Sequence, residues 1–406
     1  MVLLQAEVNI GMLGHVDHGK TSITQCLTGT WTDTHSEELK RGISIKIGYA
    51  DTIFRKCPKC AEPESYMRAE KCPKCGSATE VQRVVSFLDA PGHETLMTTA
   101  IAASSIMDGA LLVIAANEEC PQPQTMEHLM VLDILGVKNI VVVQNKVDLV
   151  PREKALENYK QIKKFLAGTV AEHAPIVPMV ANKCANLDAL ILEIQKHIPT
   201  PKRNLDASPK LYVARSFDIN KPGTEIQKLG GGVVGGSLIE GKVKVGDELE
   251  ARPGILISEK GKEEVARPVR FVVERIFAGS SAVQEAIPGG LIALGSQLDP
   301  SITKADGLVG NLVGRPGELP EVKKEIDLEF HLLKRVDLDN PPLKANEPLV
   351  ISIGTSTAIG FVDGIKKNVV HLKLKRPICA PPATKAAISR RIAQRWRLAG
   401  YGKIKA

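Results

Sequence analysis

The chain has 406 residues, enough for two or three compact domains, and its 43% hydrophobic and 24% charged residues are those of a globular protein, not of a disordered or fibrous one. Its longest apolar runs, such as GALLVIAA, stop well short of a bilayer span, and the first residues show no basic leader or small-residue cleavage site, which predicts no membrane partner and a cytoplasmic location. Lys and Arg total 53 against 46 acidic residues, and the resulting charge of +7 is compatible with a nucleic-acid partner without requiring one.

In chain order, AEVNIGMLG reads as a strand entering a loop and KTSITQCLTG as a helix ending at Gly29. VVSFLDA, GALLVIAAN, KNIVVVQNKVD and APIVPMVAN follow as strands, separated by the amphipathic stretches PQTMEHLMVLDILGV and REKALENYKQIKKFLAGTVAEH. This alternation predicts an α/β domain with a mostly parallel sheet. A Pro-rich polar seam at 197–210 closes it. Beyond it, β-branched runs cut about every eight to twelve residues by Gly, Pro or Asp predict a β-barrel, and after a second seam at 314–325 the same rhythm predicts another. The expected domains are 1–203, 204–322 and 323–406.

Of eight cysteines, Cys26, Cys120, Cys184 and Cys379 stand singly, and the other four make two Cys-Pro-Lys-Cys knuckles in an insert at about 55–78. In a reducing cytosol the spacing of Cys57, Cys60, Cys72 and Cys75 favours a tetrathiolate zinc site over disulfides. Idle thiol turns are the bland alternative. A thioredoxin-like redox motif fits less well, because that motif opens a helix after a strand and occurs once.

GHVDHGKT, residues 14–21, fits G-x4-G-K-[ST] between a predicted strand and a predicted helix. Its glycines and amides suit phosphate oxygens, Lys20 the β- and γ-phosphates, and the Thr21 hydroxyl Mg²⁺. Two distant segments complete the pattern. DAPGHE places Asp89 at a strand end, where it would orient a Mg²⁺-bound water, with the Gly92 amide facing a γ-phosphate. In QNKVD, Asn145 suits the base edge, Lys146 the ring face and Asp148 the N1–H and exocyclic amine of guanine. Adenine carries neither donor there, so the predicted ligands are GTP and GDP.

These residues resemble the translational GTPases, which include elongation factor Tu and the selenocysteine-specific elongation factor. Longer strings, GTWTDTHSEELKRGISIKIGYAD, the double knuckle, AANEECPQPQTMEHL, RSFDINKPGTE, LDPSITKADGLVG and AISRRIAQRWRLAGYG, are similar to the gamma-subunit family of archaeal and eukaryotic initiation factor 2 along essentially the whole chain. The resemblance implies a GTPase domain followed by two β-barrels. It also implies carriage of methionylated initiator tRNA to the small ribosomal subunit and its mRNA-bound initiation complex, within a heterotrimer with alpha and beta subunits. By the same resemblance Asp17, His18, Gly19, Lys20, Thr21 and Ser22 line the phosphates, and Ser44 joins Thr21 and Asp89 at Mg²⁺. Asp17 and Gly42 serve a second Mg²⁺ position, and the catalytic residues are His93, which positions the attacking water, and Asp17. Val147 belongs to the base loop, as do Val180, Ala181 and Asn182, where the family usually reads Ser-Ala, and the Ala181 amide is the expected contact to guanine O6. TTAIAASSIMDG also departs from the SGA-containing segment of close relatives.

The Cys insert interrupts the hairpin between the first switch and the SFLDAPG strand, a position from which it would brace that switch. Gly230 to Gly236 suit either a close ligand approach or β-bulges. Arg390, Arg391, Arg395 and Arg397 with Trp396 suit either RNA or a solvated basic strand face. Two alternatives stay open: an aminoacyl-tRNA elongation carrier of the selenocysteine type, and a scaffold that binds GTP without turnover.

Overall fold

The computed structural model describes residues 5–32, 47–91, 97–220, 230–257, 265–279, 281–333, 340–392 and 395–405. The chain divides into two compact units, 6–201 and a second made of 202–406 with residues 1–5.

Strands β1 (Val8–Gly14), β2 (Gly48–Lys56), β3 (Tyr66–Met67), β4 (Glu80–Asp89), β5 (Gly109–Ala115), β6 (Ile140–Asn145) and β7 (Ile176–Pro178) form one sheet in the first unit. Its order is β3-β2-β4-β1-β5-β6-β7. β4, β1, β5, β6 and β7 run parallel, and β2 and β3 add an antiparallel edge. The parallel strands β1, β5 and β6 are buried along their whole length, which is why VNIGMLG, GALLVIA and IVVVQN are nearly continuous apolar runs. Around the sheet lie helices α1 (Lys20–Thr28), α2 (Met97–Ser104), α3 (Pro123–Leu135), α4 (Arg152–Leu166) and α5 (Leu187–His197). α3 starts with Pro at its first position and stops at left-handed Gly136, while α1 stops at Gly29, whose N–H returns to the Gln25 carbonyl at 2.7 Å. Ile10, Met12, Ile23, Leu27, Phe54, Phe87, Leu111 and Ile191 are fully buried in this unit. Each such side chain contributes roughly 1.5–3 kcal/mol relative to exposure.

The second unit holds two antiparallel barrels. β8 (Lys210–Phe217), β9 (Val233–Glu240), β11 (Glu248–Ile257), β12 (Val265–Ala278), β15 (Ile292–Ser296) and β16 (Leu312–Gly314) make the first, in the order β11-β16-β8-β9-β15-β12, closed by β11–β12 pairing. β13 (Ser281–Val283) extends β12, and the short β10 (Val243–Lys244) and β14 (Glu285–Ala286) pair with each other. A one-turn helix, α6 (Pro300–Thr303), precedes β16. β17 (Val322–Leu332), β18 (Pro348–Ile353), β19 (Ser356–Lys366), β20 (Val369–Cys379), β21 (Lys385–Ile392) and β22 (Arg395–Ile404) make the second barrel, closed in the order β17-β20-β19-β18-β21-β22. Closure leaves both barrels without a long free edge. Leu312, Leu319 and Cys379 pack together with Tyr212 and Val322 where the barrels meet.

The Gly230–236 run is accounted for inside the first barrel: a Cβ at Gly231 would meet the Ser296 carbonyl at 1.9 Å, and one at Gly236 the Tyr212 carbonyl at 2.0 Å. Close strand packing, not ligand approach, requires glycine at both. Arg390 likewise leaves the basic set that suited either RNA or a solvated strand face. It is 5% exposed, and its guanidinium grips Glu347 at 2.5 and 2.9 Å and Asn340 Oδ1 at 3.0 Å. Arg391 remains exposed. Among the described residues no helix is long and apolar enough to cross a membrane.

Candidate nucleotide site and metal knuckle

The loop between β1 and α1 turns on two left-handed residues, Asp17 at φ 59° and Gly19 at φ 92°. Gly19 also permits a close approach, since a Cβ there would lie 2.3 Å from Asn145 Nδ2. Successive amides turned this way, ahead of a helix N-terminus, make a cradle for anionic oxygens. Lys20 opens α1, is largely buried, and its Nζ donates to the His15 carbonyl at 2.7 Å, bending its charge back over the loop. Ser22 lies half-buried in the first turn. The fully buried His18 ring is committed elsewhere, with Nδ1 3.1 Å from the Val113 carbonyl and Nε2 3.2 Å from Glu118 Oε2. Desolvation holds its pKa below the usual value, against the pull of Val113 and Glu118. Only its backbone is therefore left for phosphate.

Fully buried Asp89 ends β4 beside this loop. Its Oδ2 accepts from Thr21 Oγ1 and from Thr32 Oγ1, each at 2.7 Å. Hydroxyl and carboxylate oxygens converging in this way fit Mg²⁺, a hard cation that takes oxygen ligands. Gly42, Ser44 and His93 lie outside the described residues, as does Gly92.

The base-side residues come together from two loops. Lys146 is left-handed at φ 61° and caps the short turn Val147–Leu149, on which Asp148 is exposed beside half-buried Val147. Asn145 does not point at a base edge. Its Nδ2 donates to the His18 carbonyl at 2.9 Å and its Oδ1 accepts the Ala181 N–H at 3.0 Å, so this 2%-exposed amide ties the phosphate loop to the second base loop. The Ala181 amide expected at guanine O6 is thus already given to Asn145, between half-buried Val180 and exposed Asn182. A second tie runs in parallel. Cys26 and Cys184, single in the sequence, form a disulfide between α1 and the turn after Ala181, a pairing that their separation of 158 residues hides from any spacing rule.

Three contributors escaped the sequence reading. Thr32 is one. Gln124 Oε1 accepts the Val16 N–H at 3.4 Å, and His128 Nδ1 accepts the Gly14 N–H at 3.0 Å. Burial, reinforced by Lys20, pushes the His128 pKa down to about 3, so the ring is neutral with its proton on Nε2 and holds the first glycine of the loop as a pure acceptor. The signal was a histidine among the buried residues of α3, beside Glu127 and Leu129.

The four knuckle sulfurs lie within 4.8 Å of one another, with Cys57 and Cys75 at 3.4 Å and Cys60 and Cys72 at 3.6 Å. A tetrahedral zinc with Zn–S bonds of about 2.3 Å sets sulfurs about 3.8 Å apart, and the cluster fits it. Turn bonds shape the second knuckle, with the Gly76 N–H on the Cys72 carbonyl and the Cys72 N–H on the Ser77 carbonyl, both at 2.8 Å. From the insert, Arg68 donates to the Cys26 carbonyl at 2.6 Å, in the last turn of α1, and Glu62 pairs with Lys196 of α5 at 3.6 Å. The first of these contacts goes to the helix that carries Lys20 and the second to α5; the first switch that the insert was expected to brace falls outside the described residues.

Residues 5–200 match the family described as elongation factor Tu GTP binding domain, and residues 324–404 match initiation factor eIF2 gamma, C terminal. Translation initiation factor 2 subunit gamma of Methanococcus vannielii is 57% identical over 405 residues, 98% of each chain, and that of Pyrococcus abyssi 55% over 406, 99% of this chain and 98% of its own. The chain belongs to the translation initiation factor 2 gamma-subunit family. It is accordingly a translational GTPase that binds GTP and GDP with Mg²⁺, hydrolyses GTP and acts in GTP-dependent initiation. Among solved structures, a bacterial selenocysteine-specific elongation factor superposes with TM-score 0.74 at 26% identity, covering 98% of this chain but 58% of that one. SelB of Methanococcus maripaludis with a GTP analogue gives 0.73 at 21%, covering 99% of this chain and 79% of that one, a likeness of fold. Identity at these levels does not favour the elongation-carrier alternative over a gamma subunit.

Proposed function

We propose that the chain, with GTP bound, carries methionylated initiator tRNA to the small ribosomal subunit and the mRNA-bound initiation complex in the cytoplasm, and releases it after hydrolysis. It does so as the gamma subunit of a heterotrimer with alpha and beta subunits, built from domains 1–203, 204–322 and 323–406. The observation that carries this reading is 57% identity along 98% of both chains to an initiation factor 2 gamma subunit, barrels included.

At the site, the amides of Asp17 to Ser22 cradle the phosphates and Lys20 supplies charge. Thr21 and Asp89, with Ser44, hold Mg²⁺, and Asp17 and Gly42 hold a second ion. His93 orients the attacking water. Asp148 reads guanine, Lys146 covers the ring, and Asn145 with Val180, Ala181 and Asn182 fixes the loop around it. Bound Mg²⁺ supplies neutralisation of the charge that develops between the β- and γ-phosphates. The protein contributes positioning, so hydrolysis by the free chain is slow and awaits a partner.

The test is protection of the methionyl ester of initiator tRNA from hydrolysis, with a non-hydrolysable GTP analogue and with GDP, in the presence of an alpha subunit. Elongator methionyl-tRNA and selenocysteinyl-tRNA serve as competitors. GTP-dependent protection confined to the initiator is the expected result. Protection of another aminoacyl-tRNA, or of none, would overturn the proposal.

A further inference from the structure

Among the described residues, two ties join the phosphate loop and its helix to the base loop, and they differ in kind. One is the Asn145 amide, hydrogen-bonded to the His18 carbonyl of the phosphate loop and to the Ala181 N–H of the base loop. The other is covalent: Cys26 stands on α1, the helix that opens with Lys20 and Thr21, and Cys184 closes the short turn Ala181–Lys183, with Cα atoms 5.5 Å apart. Cys26 Sγ also touches the Ala181 carbonyl at 2.9 Å. The two halves are unequal in access. Cys26 is 4% exposed within the core that includes Leu27 and Met179, whereas Cys184 is exposed, at φ 48°.

We propose that Cys26 and Cys184 form a thiol–disulfide site that sets how tightly the base loop retains guanine nucleotide. The proposal rests on the reading of Val180 to Asn182 as that loop. Small thiols are the reductant. A thiolate attacks the exposed Cys184 sulfur, the S–S bond breaks, and Cys26 leaves as a thiolate that takes up a proton. A second small thiolate then attacks the mixed disulfide and displaces the Cys184 thiolate, which is protonated in turn. Two small thiols are thereby oxidised to one small disulfide and the protein gains two thiols; a small disulfide runs the exchange backwards. While the bond is intact, the turn cannot leave α1, so the open conformations through which a nucleotide departs are restricted. Once it is cut, the polar ties left among the described residues are the Asn145 hydrogen bonds and a weak thiol contact to Ala181, beside the apolar packing of Ala181 in the core that includes Ile23 and Leu27.

The experiment uses the full chain with zinc bound, equilibrated in oxidised or reduced glutathione and loaded with a fluorescent GDP analogue. Release is timed after a chase of unlabelled GDP, and differential alkylation with mass spectrometry reports the state of Cys26 and Cys184. Reduction should open this pair and speed release by about fivefold or more. Cys184→Ser should release at the fast rate in both buffers. The proposal is overturned if the pair is never oxidised, if release is the same in both states, or if Cys184→Ser keeps the redox response, which would assign it to the knuckle thiols. In each of these cases nucleotide still binds and the site reading stands. Absence of guanine nucleotide binding in either buffer would instead remove that reading, and the proposal with it.

Discussion

Asp148 and His128 illustrate two kinds of polar side chain, one exposed on its turn and the other buried and bonded to a loop amide. Asp148 is exposed on its turn, and its carboxylate suits the paired donors of guanine. Asp148→Asn should weaken GDP binding by roughly 10- to 100-fold, the worth of one charged hydrogen bond of about 1.5–3 kcal/mol. Xanthosine diphosphate should bind the variant better than GDP does, because its 2-carbonyl accepts from the new amide. Calorimetric titration with both nucleotides checks this, and unchanged GDP affinity would remove Asp148 from the base site. His128 predicts a pH dependence. Its pKa in the fold, about 3, lies below the ordinary 6.5, so the unfolded chain binds the extra proton between those values. The stability this neutral histidine contributes is complete above about pH 6.5 and is lost as pH falls towards 3. His128→Gln should flatten the acid side of the unfolding midpoint for the nucleotide-binding unit, measured by denaturant titration from pH 8 to pH 4. Motif reading proposes Asp148 for the base because guanine's paired donors demand that residue type at that spacing. It missed His128 because the demand comes from a backbone N–H 114 residues away.

At the scale of elements, the zinc insert and α1 form a connected pair. An insert this short has no apolar core of its own, so its fold depends on the metal. Chelation, or Cys57→Ser with Cys60→Ser, should release one zinc per chain and open residues 57–79 to protease, read by zinc analysis and limited proteolysis. Intact resistance after zinc loss would show that the knuckles fold without the ion. Arg68, half-buried and held below the usual arginine range by desolvation, donates to a last-turn carbonyl of α1. A cation there complements the helix dipole. Arg68→Ala should lower stability by about 0.5–1.5 kcal/mol in denaturant titration, with zinc content unchanged. The insert's existence and metal chemistry were legible from the C-x2-C repeats; its bracing of α1 was not, since nothing local in the sequence around Arg68 names Cys26 as its partner.

For the molecule as a whole, the separation into units 6–201 and 202–406 gives a direct prediction about autonomy. The nucleotide-binding unit has its own core, from Val8 through Ile198. A fragment of residues 1–203 should fold and bind GDP while losing ester protection of initiator tRNA, tested by fluorescence titration and the hydrolysis assay. Failure of the fragment to bind GDP would show that the barrels complete the nucleotide site. The α/β alternation and both barrels were readable because each depends on a short-range period: continuous apolar runs for buried parallel strands, and Gly- or Pro-punctuated β-branched runs for closed antiparallel ones.

From its residues alone the chain determined its class of nucleotide, its tetrathiolate cluster and its class of fold, since a nucleotide-binding motif set and a tetrathiolate cluster each require certain residue types at fixed local spacing. The tertiary structure decided which side chains those motifs lean on. It set Asn145 between two loops, aimed His128 at Gly14, joined Cys26 to Cys184 and gave Arg390 to Glu347. Such pairings carry no local period. They arise where sheet order and barrel closure bring distant segments within a few ångströms, and burial then makes each polar group take the nearest partner the fold supplies.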